Sequence, residues 1–388
     1  MSHLADLINE LCPDGVEYKP LSECVVLPSI PRGLKRGQYE SSGTYPIVDQ
    51  GRGQVAGYSS DETKLVKDIP GIVFGDHTRE IKYVDHFFVP GADGVKWIRA
   101  VDDVDIRYLF HSLSSLAIPS RGYNRHWNVV REMSIPVPPL EVQREIVRIL
   151  DQFTTLEAEL EAELEARRAQ YEYYRNQLLS YDALVSRCPN GVEYKSIGSF
   201  SKCVAGATPN SKNPSLWDGD IPWMSSGEVN KKTVYSTNRF ITQLGFDSCS
   251  TKMVPAGAVV IALAGQGKTR GTVARIRIEL CTNQSLCAII TDKTVDSDYL
   301  FHYLSGQYDN LRAVSSGDGT RGGLNLKMIR AYKVPVPPIE EQRRIADVLD
   351  RFDTLVNDIS SGLPAEIAAR RAQYEYYRDR LLSFPEKK

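Results

Sequence analysis

Apolar side chains recur every three or four positions over a long stretch in the middle of the chain. This spacing places them on one face of an α-helix, and the Glu, Ala and Arg residues between them are strong helix formers. Pro138 and Pro139 fix the start, because proline is tolerated in the first turn of a helix. We therefore predict one helix over residues 140–180, about 60 Å long. The apolar positions are Ile146, Leu150, Phe153, Leu156, Leu160 and Leu164.

The same pattern returns near the end of the chain, where Gly362 and Pro364 interrupt it, so we expect a kink or a short break there. A long helix with one apolar face needs a partner, and the nearest candidate is its own repeat, packed antiparallel as a two-stranded coiled coil. A helical hairpin that stabilises a single globule is the alternative. We favour a spacer, because each helix follows a large segment of its own. The second set of apolar positions is Ile345, Leu349, Phe352, Leu355, Ile359 and Ile367.

The segments that precede these helices show short apolar runs bounded by turn residues. Tyr45–Val48 and Gly71–Phe74 predict buried strands in the first segment, and Val259–Leu263 and Leu286–Ile290 predict them in the second. The fold class is therefore α+β, with two mixed α/β domains and a pair of long antiparallel coiled-coil helices.

Three sequence blocks occur twice in the same order, which indicates an internal two-fold repeat. These near-identical frames bracket two dissimilar segments, residues 20–134 and 196–333, so we expect the frames to set geometry and the segments to set specificity. We divide the chain into domains at residues 1–135 and 183–334, a central helical spacer at 136–182 and a distal helical region at 335–388. The matching blocks are Cys12–Lys19 with Cys188–Lys195, Ile135–Leu140 with Val334–Ile339, and Arg167–Arg175 with Arg370–Arg378.

Charge and cysteine content narrow the possible functions. The formal net charge of −2 gives no overall positive field, so any contact with nucleic acid depends on local basic loops. The seven cysteines form no CxxC pair and no signal peptide precedes them, which predicts reduced thiols in a cytoplasmic protein. The apolar runs are too short to span a membrane.

Loops between the predicted strands carry side chains that can contact base edges and phosphates. Arg can bind guanine through two hydrogen bonds, and Asn and Gln can bind adenine in the same way. Ordinary polar surface loops are the alternative, but the clustering of basic, amide and aromatic groups favours nucleic acid. The DNA-binding candidates are His77, Arg79, Arg121, Tyr123, Arg125 and Trp127 in the first segment, and Lys212, Gln266, Lys268, Arg270, Asn283, Gln284, Arg321 and Asn325 in the second.

Two motifs suggest catalysis and are weak. Ala262–Thr269 fits a relaxed phosphate-binding loop, but the residues after it alternate as in a strand, whereas nucleotide binding needs a helix there. Asp14 with Glu17 and Lys19 resembles a nuclease set, yet the second copy has Asn190 in place of the aspartate. No methyltransferase motif occurs, and the six histidines lack metal-ligand spacing. We predict no catalytic residues and no metal site.

The frames resemble the conserved helical regions of type I restriction–modification specificity subunits. The resemblance is carried by Pro136–Asp151, Arg167–Leu179 and Pro337–Leu382. The second segment is similar to the target-recognition domains of that family through Gly206–Pro209, Trp217–Trp223 and Thr282–Gln284.

The resemblance implies a non-catalytic subunit in which each segment is a target-recognition domain for one half of a bipartite, asymmetric site in double-stranded DNA. It implies that the coiled coil fixes the gap between the half-sites. It also implies two modification subunits that carry S-adenosylmethionine and methylate adenine N6, and motor–nuclease subunits that use ATP and Mg²⁺. The chain itself would bind no cofactor. A phosphate-loop NTPase, which would lose nucleotide binding on Lys268→Ala, and a coiled-coil adaptor without DNA recognition are the alternatives.

Overall fold

The computed structural model of the chain describes residues 2–92, 94–122, 124–188, 191–265, 269–315, 323–357 and 361–387. They form two compact units. The first unit comprises residues 1–162 and 366–388, and the second comprises residues 163–365. The end of the chain therefore belongs to the same unit as its beginning.

The first unit contains a four-stranded antiparallel sheet and a three-stranded mixed sheet. In the larger sheet the strand order is Val25–Val26, Val95–Ala100, Gly71–Gly75 and Ile81–Val84. In the smaller sheet the order is Gly57–Ser59, Tyr45–Val48 and Val89–Pro90, the last pair being parallel. Tyr18–Pro20 pairs with Ser134–Pro136 and joins the two ends of the variable segment.

The second unit contains a five-stranded and a three-stranded sheet. In the larger sheet the order is Ser201–Ala205, Leu286–Thr291, Val259–Ala262, Val273–Ile276 and Thr233–Val234. In the smaller sheet the order is Arg239–Ile241, Trp217–Met224 and Cys281–Thr282, the last pair again being parallel. Glu193–Ser196 pairs with Lys333–Val336 and joins the ends of this segment.

The two variable segments share one sheet topology. The first four strands of the five-stranded sheet follow the order of the four-stranded sheet, and both three-stranded sheets combine one antiparallel with one parallel pair. The internal repeat therefore extends through segments that the sequence shows only as dissimilar. Topology is set by which positions are buried, and many different side chains satisfy that requirement. The four strands predicted from the sequence are confirmed.

The long helices lie where the apolar pattern places them. Leu140–Leu179 is a single helix, and the second copy is divided into Ile339–Asn357 and Leu363–Leu381, which confirms the predicted break. Leu355 is 39% exposed, so its place in the apolar stripe is wrong; Val356, 1% exposed, faces the core instead. Each residue turns about 100° around a helix, so a one-position difference moves a side chain to another face. Ile359 lies outside the described residues.

Shorter helices complete both units. Among the described residues no helix has the length and apolar character needed to cross a bilayer. The helices of the first unit are Ser2–Leu11, Leu21–Cys24, Ile106–Ser115 and Trp127–Val130. Those of the second unit are Tyr181–Arg187, Ile197–Phe200, Gln243–Asp247, Ser297–Ser305, Tyr308–Ala313 and Leu326–Ala331.

The long helices contact each other within each unit. In the first unit Phe153 stacks on Tyr377 with ring centroids 5.3 Å apart, and Glu157 and Glu161, further along the helix, pair with the earlier residue Arg371. In the second unit Tyr174 lies 5.6 Å from Phe352. The contacts of the first unit confirm the predicted antiparallel direction, because later residues of one helix meet earlier residues of the other.

Identical polar contacts anchor both frames. The amide oxygen of Gln143 accepts a hydrogen bond from the Asp105 backbone N–H at 2.8 Å, and Gln342 accepts one from Asp296 at the same distance. Both glutamines are fully buried. Because a buried amide is costly unless it is hydrogen-bonded, these contacts fix where each long helix begins against its unit. All seven cysteines are free thiols.

Candidate nucleic-acid interface

Two predicted loops of the first unit are held together by Asp76 and His126. The carbonyl oxygen of Asp76 accepts hydrogen bonds from the backbone N–H and from Nδ1 of His126, at 2.8 and 2.9 Å. Its carboxylate accepts from the Trp127 N–H at 2.8 Å. The ring Nε2 of His126 accepts from the Arg121 N–H at 3.1 Å, which fixes the tautomer. The loop after strand Gly71–Gly75 and the loop before helix Trp127–Val130 are therefore one surface.

The predicted residues of this surface differ in exposure. Arg79, Arg121 and Arg125 are exposed, and His77 is half-buried. Arg79 has a left-handed backbone, with φ of 67°, and its guanidinium donates to the Ile118 carbonyl at 2.9 Å. Tyr123 lies outside the described residues.

The structure corrects the prediction that Trp127 is a DNA contact. This residue is 6% exposed and packs in the core, with its ring centroid 5.6 Å from that of Phe74. Its place among basic and amide groups predicts a nucleic-acid contact, but such a contact needs an exposed ring. Here its large apolar area is instead buried, so its role is to hold the loop.

Sequence reasoning missed a third loop on the same surface, residues 49–53. Lys82, 2% exposed, donates to the carbonyls of Asp49 and Gly53 at 2.7 and 2.6 Å. Burial lowers the pKa of Lys82. The side-chain oxygen of Gln50 accepts from the His77 N–H at 3.2 Å, so this loop touches the predicted one. The signal was present, since Gln50 and the 95%-exposed side chain of Arg52 follow a predicted strand.

A basic segment after the second strand of the first unit was also missed. A cavity of about 200 Å³ there has Arg32, Lys35 and Lys64 in its lining. A Cβ built on Gly33 would lie 1.7 Å from the Gly91 carbonyl oxygen, so this backbone approach requires glycine. The equivalent glycine of the second unit, Gly206, approaches a carbonyl equally closely and precedes the predicted loop 208–212. Only this structural equivalence identifies the first-unit segment.

In the second unit two of the predicted loops are joined directly. The Thr208 hydroxyl donates to the Gln284 side-chain oxygen, which connects loop 206–212 to loop 283–285. The Ser285 carbonyl accepts from the Leu263 N–H at 2.8 Å, and the Leu263 carbonyl accepts from the Leu324 N–H at 2.9 Å. Loops 206–212 and 283–285 therefore lie at one edge of this unit, together with the described residues Leu263 and Leu324.

The predicted residues of the second unit also divide into exposed and structural groups. Lys212 and Gln284 are exposed. Asn283 is 9% exposed, and its side-chain oxygen accepts from the Ser285 N–H at 3.1 Å. Asn325 accepts from the Met328 N–H at 3.0 Å and caps helix Leu326–Ala331. Arg270 is 8% exposed.

Two corrections follow from this division. Asn283 and Arg270 are assigned to loop geometry, because their side chains are buried. Sequence reasoning could not separate them from exposed residues of the same type, since turns and caps favour the same amides. Asn325 caps a helix but is exposed, so its role as a DNA contact stays a prediction. Gln266, Lys268 and Arg321 lie outside the described residues.

Comparisons with known proteins identify the family. The sequence profile of the type I restriction modification DNA specificity domain matches residues 13–166 and again residues 189–369. The chain belongs to this family. It is 34% identical over 405 residues to the type I restriction enzyme EcoR124I/EcoR124II specificity subunit of Escherichia coli, covering 99% of this chain and 98% of that protein. It is 28% identical over 399 residues to a putative type I restriction enzyme specificity subunit of Haemophilus influenzae, covering 95% and 96%.

Solved structures share the fold. The crystal structure of a type I restriction–modification S subunit from M. genitalium matches with a TM-score of 0.61 at 15% identity, covering 95% of this chain and 96% of that chain. A chain from a structural study of complex assembly and conformational transition of the type I R-M system matches with a TM-score of 0.54 at 18% identity, covering 96% and 98%.

As a type I specificity subunit, the chain supplies DNA sequence specificity and is not itself an enzyme. The resemblance inferred from the frames is confirmed, and the comparisons do not support the NTPase and adaptor alternatives. The loop after Val259–Ala262 leads into the antiparallel strand Val273–Ile276, so the helix that a phosphate-binding loop needs is replaced by a strand. No group of three or more His, Cys, Asp or Glu residues within the described ranges is arranged to hold a metal ion.

Proposed function

We propose that each unit recognises one half of a bipartite, asymmetric site in double-stranded DNA. The observation that carries the proposal is the shared sheet topology with different side chains on the loops. The described loops of each unit meet on one edge of that unit; those of the first carry His77, Arg79, Arg121 and Arg125, and those of the second carry Lys212, Gln284 and Asn325. Because base recognition depends on side-chain donors and acceptors, two such surfaces favour two different half-sites.

The proposed contacts are the exposed residues of these loops. Residues buried beneath them position the loops, and Tyr123, Gln266, Lys268 and Arg321 remain predictions from the sequence. The proposed contact residues are His77, Arg79, Arg121 and Arg125 of the first unit, and Lys212, Gln284 and Asn325 of the second.

We further propose that two modification subunits assemble with the chain and methylate adenine N6 in each half-site. S-adenosylmethionine would be held by those subunits, and ATP and Mg²⁺ by motor–nuclease subunits. The relatives' description as type I restriction enzyme specificity subunits supports this assembly. The DNA substrate and the free cysteines favour the cytoplasm.

The test is genome-wide detection of methylated adenine in cells that carry the chain and its cognate modification subunit, compared with cells that lack the chain. We expect a methylated split motif that disappears with the chain. Unchanged methylation, with the complex shown to assemble, would contradict the proposal and favour an adaptor.

Variants of single units sharpen this experiment. Replacing Arg121 and Arg125 by Ala should weaken or relax the first half-site and leave the second unchanged, and Lys212→Ala should do the reverse. Arg131→Ala is the matched control, because Arg131 is exposed but already paired with Glu132 at 3.0 Å. Equal effects of all variants on both half-sites would contradict the assignment of one half-site to each unit.

A further inference from the structure

Two tryptophans in the second unit hold an arginine that the sequence analysis did not select. The rings of Trp217 and Trp223 meet edge to face with centroids 5.1 Å apart. The guanidinium carbon of Arg239 lies 3.6 Å from the centroid of Trp217 and 5.7 Å from that of Trp223. Trp223 and Arg239 are direct cross-strand partners in the three-stranded sheet.

The same tryptophans anchor a loop of the proposed DNA surface. The indole N–H of Trp217 donates to the Asn210 carbonyl at 3.2 Å, and that of Trp223 donates to the Ala207 carbonyl at 3.0 Å. Thr208, between these two residues, is hydrogen-bonded to Gln284. Arg239 is thereby linked through two rigid rings to the loops that carry Lys212 and Gln284.

The surroundings of Arg239 leave its charge available. The residue is exposed, and within the described ranges no carboxylate lies within ion-pairing distance of its guanidinium. By contrast, Arg275 and Arg277 of the same unit are paired with Asp298. A guanidinium stacked by its face on an indole keeps its N–H donors at its edge, where a planar pair of acceptors can meet them.

Stacking also lowers the cost of binding. A long, mobile side chain loses conformational freedom when it is immobilised by a ligand, and an arginine already held on Trp217 has less to lose. A purely structural role for the stack would require only the apolar stem and face of the side chain.

We propose that Arg239 is a DNA contact of the second unit, presented edge-outward by Trp217 and Trp223 to a pair of acceptor oxygen or nitrogen atoms on the duplex. This rests on the proposed function of the second unit. The acceptors are either O6 and N7 of a guanine or the oxygens of a phosphate, which share the same bidentate chemistry.

The experiment uses the complex of the full chain with its modification subunit and a duplex carrying the motif found by methylation mapping. Arg239→Met keeps a side chain that can pack on the indole but removes the charge and the donors, and Arg239→Lys keeps only the charge. Lys293→Met is the control, because it removes an exposed charge beside Pro337 and Pro338 of the frame. We expect Arg239→Met to weaken duplex binding between about fivefold and about a hundredfold, with the control unchanged.

The variants distinguish the two acceptors. Relaxed preference at one base pair of the second half-site in both variants identifies guanine. Uniform weakening across sequences, with a shallower salt dependence in Arg239→Met and partial recovery in Arg239→Lys, identifies phosphate. Either result supports the contact.

Two results would overturn the inference. The first is that the wild-type complex methylates a split motif and the Arg239→Met complex shows the same motif, the same affinity for the duplex and the same salt dependence. The other is weakened duplex binding by the Arg239→Met complex that returns to the wild-type affinity when it is measured well below the thermal unfolding midpoint of the variant. Such recovery indicates that the substitution impairs folding and does not remove a DNA contact. A wild-type complex without any sequence preference would instead contradict the proposed function.

Discussion

Asp350 of the second unit accepts hydrogen bonds from a buried histidine and a buried arginine. His302 Nε2 lies 2.7 Å from its carboxylate and Nδ1 lies 3.0 Å from the Tyr171 hydroxyl, while Arg275 bridges Asp350 and Asp353. Burial raises the pKa of Asp350, but the bonds from His302 and Arg275 outweigh it and hold the pKa at about 2. Asp350 therefore stabilises the fold while it is ionised.

We predict that Asp350→Asn lowers the free energy of unfolding by about 2 kcal/mol near neutral pH. The folded pKa lies below the unfolded value, so this contribution is complete above about pH 4 and is lost as the pH falls to about 2. Denaturant titrations of wild type and variant across this range measure it. Asp247→Asn, at an exposed position, is the control. A difference between wild type and Asp350→Asn that stays constant from pH 6 to pH 2 would contradict the prediction.

Lys82 is the residue on which the missed loop of the first unit depends. We predict that Lys82→Met lowers the free energy of unfolding by about 1–3 kcal/mol, because the carbonyls of Asp49 and Gly53 lose a charged donor that is itself buried. The loop carrying Gln50 and Arg52 would loosen, and binding of the first half-site would weaken while the second is unchanged. Chemical denaturation and duplex binding test this against the exposed control Lys67→Met. Normal stability with normal first half-site binding would show that the clamp is dispensable.

At the scale of elements, the sequence Leu-Glu-Ala-Glu occurs twice in succession, at residues 156–159 and 160–163. One copy can therefore be deleted to shorten the helix while its local contacts are kept. Helix Leu140–Leu179 begins in the first unit and ends in the second. Deleting Leu156–Glu159 moves Leu160 and Glu161 into the positions of Leu156 and Glu157. Arg371, which pairs with Glu157 and Glu161, would therefore still meet glutamates at both positions.

We predict that this deletion leaves both half-sites unchanged and alters the permitted gap between them. Four helical residues span about 6 Å, less than two base-pair rises of about 3.4 Å. Methylation mapping or selection from randomised duplexes provides the measurement, and Glu159→Gln is the control of unchanged length. Altered half-sites at a constant gap would reject the spacer role of the helix.

The sequence predicted most of these elements for one physical reason. Apolar residues at helical spacing can all be buried together only if the segment is a helix. The sequence therefore predicted Leu140–Leu179 and the break before Leu363 correctly. Leu355 was misplaced because two adjacent apolar residues, Leu355 and Val356, both fit the stripe. Packing against the neighbouring elements selects Val356.

At the scale of the whole molecule, the end of the chain completes the first unit. Leu382 and Phe384 are buried in its core, and Val16 exchanges backbone hydrogen bonds with Pro385 and Lys387 at 2.8 and 3.0 Å. The Tyr18 hydroxyl donates to the Phe384 carbonyl at 3.0 Å. Residues far apart in sequence therefore form one core.

We predict that removing residues 382–388 destabilises the first unit selectively. Each lost apolar side chain costs about 2–5 kcal/mol, so recognition of the first half-site should fail while the second unit stays folded. Hydrogen exchange resolved by residue, together with methylation of each half-site, measures the effect. Lys387→Ala is the control, since it keeps the backbone bond to Val16. Equal loss of protection in both units would contradict this assignment.

The sequence by itself determined the duplicated frames, the long helices, the family and the regions that carry specificity, because these depend on periodicity and on blocks repeated within one chain. It could not decide which loop residues face outward. Trp127 and Asn283 are buried, whereas Gln50 and Arg239 stand beside the predicted loops. Only the tertiary structure revealed the common topology of the two dissimilar segments and sorted their side chains into contacts and supports. Burial and hydrogen bonding depend on neighbours that are distant in sequence, and local composition does not encode them.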